Sequence, residues 1–258
     1  ATSGTDTSAP HTTTVWPDLV ASLEAPVLDI NGLLFGAVAS LGAQGTSQTT
    51  GQGNDIFTNF ENVEGSDFND GLFGDAGDNV IAGRDGRDFI DGGAGNDTLL
   101  GGAGIDVVDG GGGADVLYGG TTGGDAFETD LVSYLGAEGP LEFVFGTSIT
   151  ELVTGSSDEI LDDVIGDDVE GIAGADRHSN VFRAENISTT TFFLGGRESD
   201  TMFGGSGTDQ LRSAGGDDVL YGNDGQDALI GEGGDDQYWT GGADGVADFI
   251  FLDGINEG

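Results

Sequence analysis

Apolar residues recur every nine positions through two long stretches of this chain. From Gly65 six nonapeptides follow without a break, GSDFNDGLF, GDAGDNVIA, GRDGRDFID, GGAGNDTLL, GGAGIDVVD and GGGGADVLY, ending at Tyr118. Their eighth residues are Leu72, Ile81, Ile90, Leu99, Val108 and Leu117. From Gly195 five more follow, GGRESDTMF, GGSGTDQLR, SAGGDDVLY, GNDGQDALI and GEGGDDQYW, with Met202, Leu211, Leu220, Leu229 and Tyr238 in the eighth place. One apolar side chain between two others pointing the opposite way predicts a three-residue strand with a single inward contact. The glycine-rich six residues before it predict a turn. Each nonapeptide then reverses the chain, two of them complete a coil, and alternate repeats stack on the same side. The class predicted is all-β, a parallel β-roll or β-helix solenoid.

Looser copies flank the strict ones: TGQGNDIFT at Thr50–Thr58, the segment Gly119–Glu128, and GGADGVADFIF from Gly241. Two prefaces also resemble each other, EAPVLDI from Glu24 with EGPLEFV from Glu138, and ENVEGSDFND from Glu61 with DDVEGIAGAD from Asp167. The chain reads as a degenerate tandem duplication. Asp130–Thr154, rich in Val, Phe, Leu and Thr, predicts longer strands as a hairpin or as wider coils. The expected organisation is an extended lead-in at 1–23, an irregular β preface with one loose repeat at 24–64, and a first block at 65–128. An irregular β-segment with degenerate repeats at 129–194 then leads to a second block at 195–258.

The sixth position carries the chemistry. It reads Asp70, Asn79, Asp88, Asp97, Asp106 and Asp115 in the first block and Asp200, Asp209, Asp218, Asp227 and Asp236 in the second. The loose copies add Asp55, Asp125 and Asp248. Glycines such as Gly93, Gly95, Gly102, Gly104, Gly111, Gly113, Gly205 and Gly207 let a turn aim several carbonyl oxygens one way. Hard cations such as calcium take six to eight oxygens, mixing carboxylates with carbonyls. One turn supplies too few, so each ion is expected between consecutive same-side turns. Asp70, Asp88 and Asp106 share one edge; Asn79, Asp97 and Asp115 share the other. Asp also favours turns by bonding its own backbone, which at Asn79 is an alternative account.

Composition narrows the choice of function. With 47 acidic residues against six basic ones the formal charge is -41, which repels nucleic acid and anionic lipid. All six basic residues are arginine and cysteine is absent, so lysine chemistry, disulfides and thiolate metal sites are excluded. No apolar stretch approaches the ~20 residues of a membrane-spanning helix. The start, Ala-Thr-Ser-Gly, carries no basic or apolar leader, which fits prior cleavage, a trimmed fragment or export without an N-terminal signal. An EF-hand loop and a dinucleotide fingerprint both fail on spacing. His11 and His178 each lack a nearby second histidine and read as surface or turn residues. A carboxylate-pair hydrolase is not excluded by composition, but no pair stands out. The aromatics Tyr134, Phe143, Phe145, Phe192, Phe193, Tyr238 and Trp239 either widen a thin core or line a carbohydrate or protein contact.

The in-register run of Gly-Gly-x-Gly-x-Asp-x-apolar-x units resembles the RTX, or hemolysin-type, calcium-binding repeat family. The resemblance covers Gly65–Glu128 and Gly195–Phe251 and, more loosely, Thr50–Thr58. It implies a right-handed parallel β-roll, calcium along both edges, export from a bacterium by a type I system and folding outside the cell. Counting same-side pairs gives about seven to nine calcium ions. Ser66, Glu198 and Ala214 stand where the consensus has glycine, and Asn79 should weaken the site it shares with Asp97. Asn180 and missing glycines weaken the calcium pattern in Asp176–Thr191. The expected function is an extracellular structural, adhesive or surface module that folds on calcium and is not itself an enzyme. The alternatives are a module appended to a secreted protease, lipase or polysaccharide-modifying enzyme, and a subunit docked on a larger complex. Expected partners are calcium and either another protein or a surface polysaccharide.

Overall fold

Val80–Gly86 pairs in parallel with Thr98–Gly104, setting Ile81 opposite Leu99, eighteen residues on. The same offset recurs between the strict repeats of the computed structural model. It describes residues 27–29, 38–43, 48–49, 54–55, 60–120, 130–146, 152–154, 163–166, 169–241 and 246–252. Apart from a 3-10 turn at Leu41–Ala43, the regular elements of these residues are all strands. The chain divides into two units, 1–130 and 131–258.

In the first unit two parallel sheets alternate along the chain. One runs Val27–Asp29, Asn62–Glu64, Val80–Gly86, Thr98–Gly104 and Val116–Tyr118. The other runs Val38–Ser40, Gly71–Phe73, Phe89–Asp91 and Val107–Asp109. Successive repeats therefore feed opposite sheets, which is the β-roll that the nine-residue period predicts. Leu72, Ile81, Ile90, Leu99, Val108 and Leu117 are all at most 1% exposed. A strand of three residues buries only its middle side chain, so the core is one apolar residue per strand.

The second unit repeats this plan with a wider beginning. Leu131–Ser133, Gly171–Ala173, Phe192–Leu194, Gln210–Arg212, Ala228–Ile230 and Phe249–Phe251 form one parallel sheet. Opposite it, Leu141–Phe145 pairs in parallel with Asn180–Arg183, followed by Thr201–Phe203, Val219–Tyr221 and Gln237–Trp239. Leu152–Thr154 folds back antiparallel on Leu141–Phe145, the hairpin expected of that Val- and Phe-rich stretch. Phe143, Phe145, Phe182 and Phe193 are fully buried and stack with centroids 4.9 to 6.1 Å apart, so these aromatics widen the core.

A second aromatic column lies on the outward side of the same sheet. Phe203 and Tyr221 stack at 4.6 Å, and Tyr221 and Trp239 at 5.9 Å, with Arg183 capping Phe203 at 4.8 Å. Parallel register places identical strand positions above one another, so flat rings cover each other's faces. Trp239, at its end, is 52% exposed.

Candidate metal centres

The sixth residue of each repeat closes the turn and turns inward just before its strand. Asp88, Asp97, Asp106, Asp115, Asp200, Asp209, Asp218 and Asp227 are at most 3% exposed. The Oδ1 atom of each acid accepts the main-chain N–H of the acid-slot residue on the previous coil. On one edge Asp70 donates to Asp88 and Asp88 to Asp106, both at 2.8 Å. On the other, Asn79 donates to Asp97 and Asp97 to Asp115, both at 2.7 Å. In the second unit Asp200 donates to Asp218 at 2.7 Å and Asp218 to Asp236 at 3.0 Å. Asp209 donates to Asp227 at 2.9 Å and Asp227 to Asp248 at 3.1 Å. The two edges expected from the spacing are therefore present in both units.

The second carboxylate oxygen faces a different environment. Oδ2 of Asp88 and of Asp97 is buried with no hydrogen-bond partner. A methyl group at Gly83 would overlap Asp88 Oδ2 and the Gly101 carbonyl oxygen, and one at Gly92 would overlap Asp97 Oδ2 with the Gly110 carbonyl oxygen 2.7 Å away. Carboxylate and carbonyl oxygens of consecutive same-side coils thus converge beside the first glycine of a repeat. Among the described residues no three His, Cys, Asp or Glu side chains gather at one point. The turn offers one carboxylate, and main-chain carbonyls supply the other oxygens, a donor set suited to a hard divalent cation.

Electrostatics point the same way. Burial pushes Asp88 up to about 8, with Asp106, Asp70 and Asp85 adding repulsion against the hydrogen bond from Asp70. Burial likewise raises Asp97 to about 7, with Asp115, Asp78 and Asp75 contributing. Stacked buried carboxylates disfavour their charged forms, and a bound cation reverses that preference.

Glycine serves the turns in two ways. Gly93, Gly95, Gly102, Gly104, Gly111 and Gly113 have φ between 84° and 141°, a region that favours glycine. Gly205 and Gly207 are not in that region. A Cβ at Gly205 would collide with the Ile187 carbonyl oxygen, and one at Gly207 with that of Thr189. These two are glycine because the neighbouring coil passes too close for a side chain.

Three acids from the loose copies fare differently. Asp248 takes its slot above Asp227 despite an offset of 21 residues. Asp125 lies outside the described residues, as does the lead-in at 1–23. The slot above Asp106 is filled by Asp130, 3% exposed, whose Oδ1 accepts the Asp106 N–H at 2.9 Å across 24 residues. Sequence reading missed Asp130, although Leu131, Val132 and Ser133 follow it with the apolar residue in the eighth place. Asp55 departs from the stack, because Asn54–Asp55 pairs antiparallel with Gln48–Thr49.

A second ladder was also missed. The fifth-position side chains of Asn69, Asp78 and Asn96 accept the N–H of Arg87, Asn96 and Ala114, each eighteen residues later, at 2.8 to 3.0 Å. Asn and Asp recurring at that position were its only trace in the sequence.

The model of the RTX calcium-binding nonapeptide repeat matches residues 64–99, 91–121, 192–220, 203–238 and 212–246. The two blocks belong to the RTX calcium-binding repeat family. RTX repeats bind calcium, and this chain's turns fit that ion through the unpartnered Oδ2 atoms and the converging carbonyls. No curated protein matches the chain.

Proposed function

We propose that the chain is a structural or adhesive module that works outside a bacterial cell, where calcium is plentiful, and completes its fold there by binding several calcium ions. The observation that carries this reading is the row of buried carboxylates with Oδ2 left unpartnered at Asp88 and Asp97. Without a cation such groups oppose folding, and with one they hold consecutive coils together, so binding energy becomes folding energy. The formal charge of -41 supports the same view, because a chain that repels itself remains extended until cations are supplied. Export by a type I system rests on the family resemblance. Among the described residues no helix is long and apolar enough to cross a membrane. The biochemical act in this reading is ion binding and the stiffening of a surface module, with no catalytic step.

The test is a calcium titration of chelator-treated protein, followed by far-UV circular dichroism and calorimetry, with magnesium as the control. A cooperative gain of β-structure with several calcium ions bound is the expected result. Full β-structure in chelator, or no calcium bound, would overturn the reading.

A further inference from the structure

The parallel sheet through Gln210–Arg212 and Ala228–Ile230 ends, among the described residues, on Phe249–Phe251. Six of the eleven large apolar side chains exposed among those residues, Trp239, Val246, Phe249, Ile250, Phe251 and Leu252, fall between positions 239 and 252. Ile250 continues the core column above Leu229, yet it is 41% exposed where Leu229 is fully buried. The apolar patch is therefore the core itself, uncovered at its end.

The backbone of this strand faces two ways. Phe249 donates its N–H to the Asp227 carbonyl oxygen at 2.7 Å, so residues 249 and 251 direct their main-chain groups to the preceding strand. Alternation then turns the N–H and C=O of Ile250 toward the place of a next coil. Asp248 points the same way, since the acid-slot N–H bonds the following coil on the lower rungs, as Asp209 does to Asp227 at 2.9 Å. Leu252 does too, because Ser213, its equivalent two coils below, donates its N–H to the following coil at Ile230, 3.0 Å away. No described strand pairs with that edge.

Elsewhere in the second unit a parallel sheet accepts an antiparallel strand at its border, where Leu152–Thr154 covers Leu141–Phe145. The sequence Phe249-Ile250-Phe251 is suited to the same closure from outside, because it reads alike in both directions. Two copies placed edge to edge about a two-fold axis at Ile250 match residue for residue. The two Ile250 residues form a pair that exchanges both N–H···O bonds, and Asp248 pairs in the same way with Leu252 of the second copy. On the outward side each Phe249 faces Phe251 of the other copy, and on the inward side the two Ile250 side chains meet and extend the core. Within residues 248–252 no acid stands opposite an acid.

We propose that Phe249–Phe251 is a self-association edge, on which a second copy of this chain adds its own Phe249–Phe251 as an antiparallel strand to give a two-fold dimer. The contact requires a folded second unit and takes no ion of its own. Because it consumes both edges, assembly stops at two copies. The formal charge of -41 on each copy opposes the approach, so the dimer strengthens as salt screens that repulsion.

Sedimentation equilibrium of the whole chain, over a dilution series in calcium at low and high sodium chloride, tests the dimer. A reversible monomer–dimer equilibrium is expected, with more dimer at high salt and no larger species. Leu252→Pro removes an N–H that points to the open edge and leaves the bonds to Ala228–Ile230 in place, so it should give a monomer with unchanged circular dichroism. Ile250→Asp sets two carboxylates together at the two-fold axis and should do the same. Phe89→Asp, at an exposed apolar residue of the first unit, should leave the dimer unchanged. A monomer at every concentration and salt would overturn the dimer. A dimer indifferent to Leu252→Pro, or lost equally in Phe89→Asp, would place the contact elsewhere and overturn it too. Association that weakens with salt would mark ion bridging between acidic surfaces and count against the strand edge.

Discussion

The main-chain N–H of Asp88 donates to Oδ1 of Asp106, 2.8 Å away and eighteen residues along the chain. One carboxylate oxygen thus serves the coil-to-coil ladder and leaves the other to the turn. The two roles separate by substitution. Asp106→Ala strips the acceptor from a buried N–H and should cost about 1–3 kcal/mol in urea denaturation at saturating calcium. Asp106→Asn keeps an acceptor oxygen but loses the charge, so stability at saturating calcium should fall less while calcium affinity, measured by calorimetry, falls clearly. Equal losses from both variants would refute the division of labour.

Raised carboxylate pKa values give the calcium-free chain an unusual pH response. For Asp88, pushed up to about 8, and Asp97, pushed up to about 7, the folded state holds its protons more tightly than the unfolded state does. Their contribution to stability is fully present below the ordinary carboxylate pKa and is lost as pH rises through these folded values. In chelator, β-structure should therefore increase as pH drops from about 9 to about 5. With calcium the trend reverses, because protons compete for the same oxygens and more calcium is needed at lower pH. Circular dichroism at several pH values, with and without chelator, checks both signs.

Two glycines of neighbouring repeats make a matched pair. A Cβ at Gly104, where φ is 134°, would run into the Gly86 carbonyl oxygen, whereas a Cβ at Gly112 meets nothing within 4 Å. Gly104→Ala should cost about 1–3 kcal/mol or more. Gly112→Ala should stay within about 0.5 kcal/mol of the parent. Thermal unfolding in calcium distinguishes them, and a neutral Gly104→Ala would show that the coils are spaced more loosely than described.

Phe182 sits between Phe143 and Phe193, with centroids at 4.9 and 5.0 Å, and is fully buried. Phe182→Ala should destabilise the second unit by about 3–5 kcal/mol, since so thin a core has few atoms able to close over the cavity. Denaturation followed by near-UV circular dichroism would report the loss of the aromatic stack.

The inward apolar residues and most of the acid slots were legible because every repeat asks the same thing of the same position. Ile81 and Leu220 occupy equivalent places, and so do Asp97 and Asp227. Reading failed where spacing or backbone overrode residue type. Asp130 was hidden by its 24-residue offset from Asp106. The turn backbone was hidden more deeply, since Gly196 and Gly205 match the consensus without a positive φ and donate their N–H to Asp200 and Asp209, while Arg84 and Glu232 depart from it and are left-handed.

The acid ladder spans offsets of 18, 20, 21 and 24 residues without losing a rung, at Asp88–Asp106, Asn180–Asp200, Asp227–Asp248 and Asp106–Asp130. Extra residues are spliced between rungs, and the next strand still finds its register. Such a scaffold is strict about phase and lenient about length. New sequence can be grafted between coils, and recognition surfaces exchanged there, while the core is left alone.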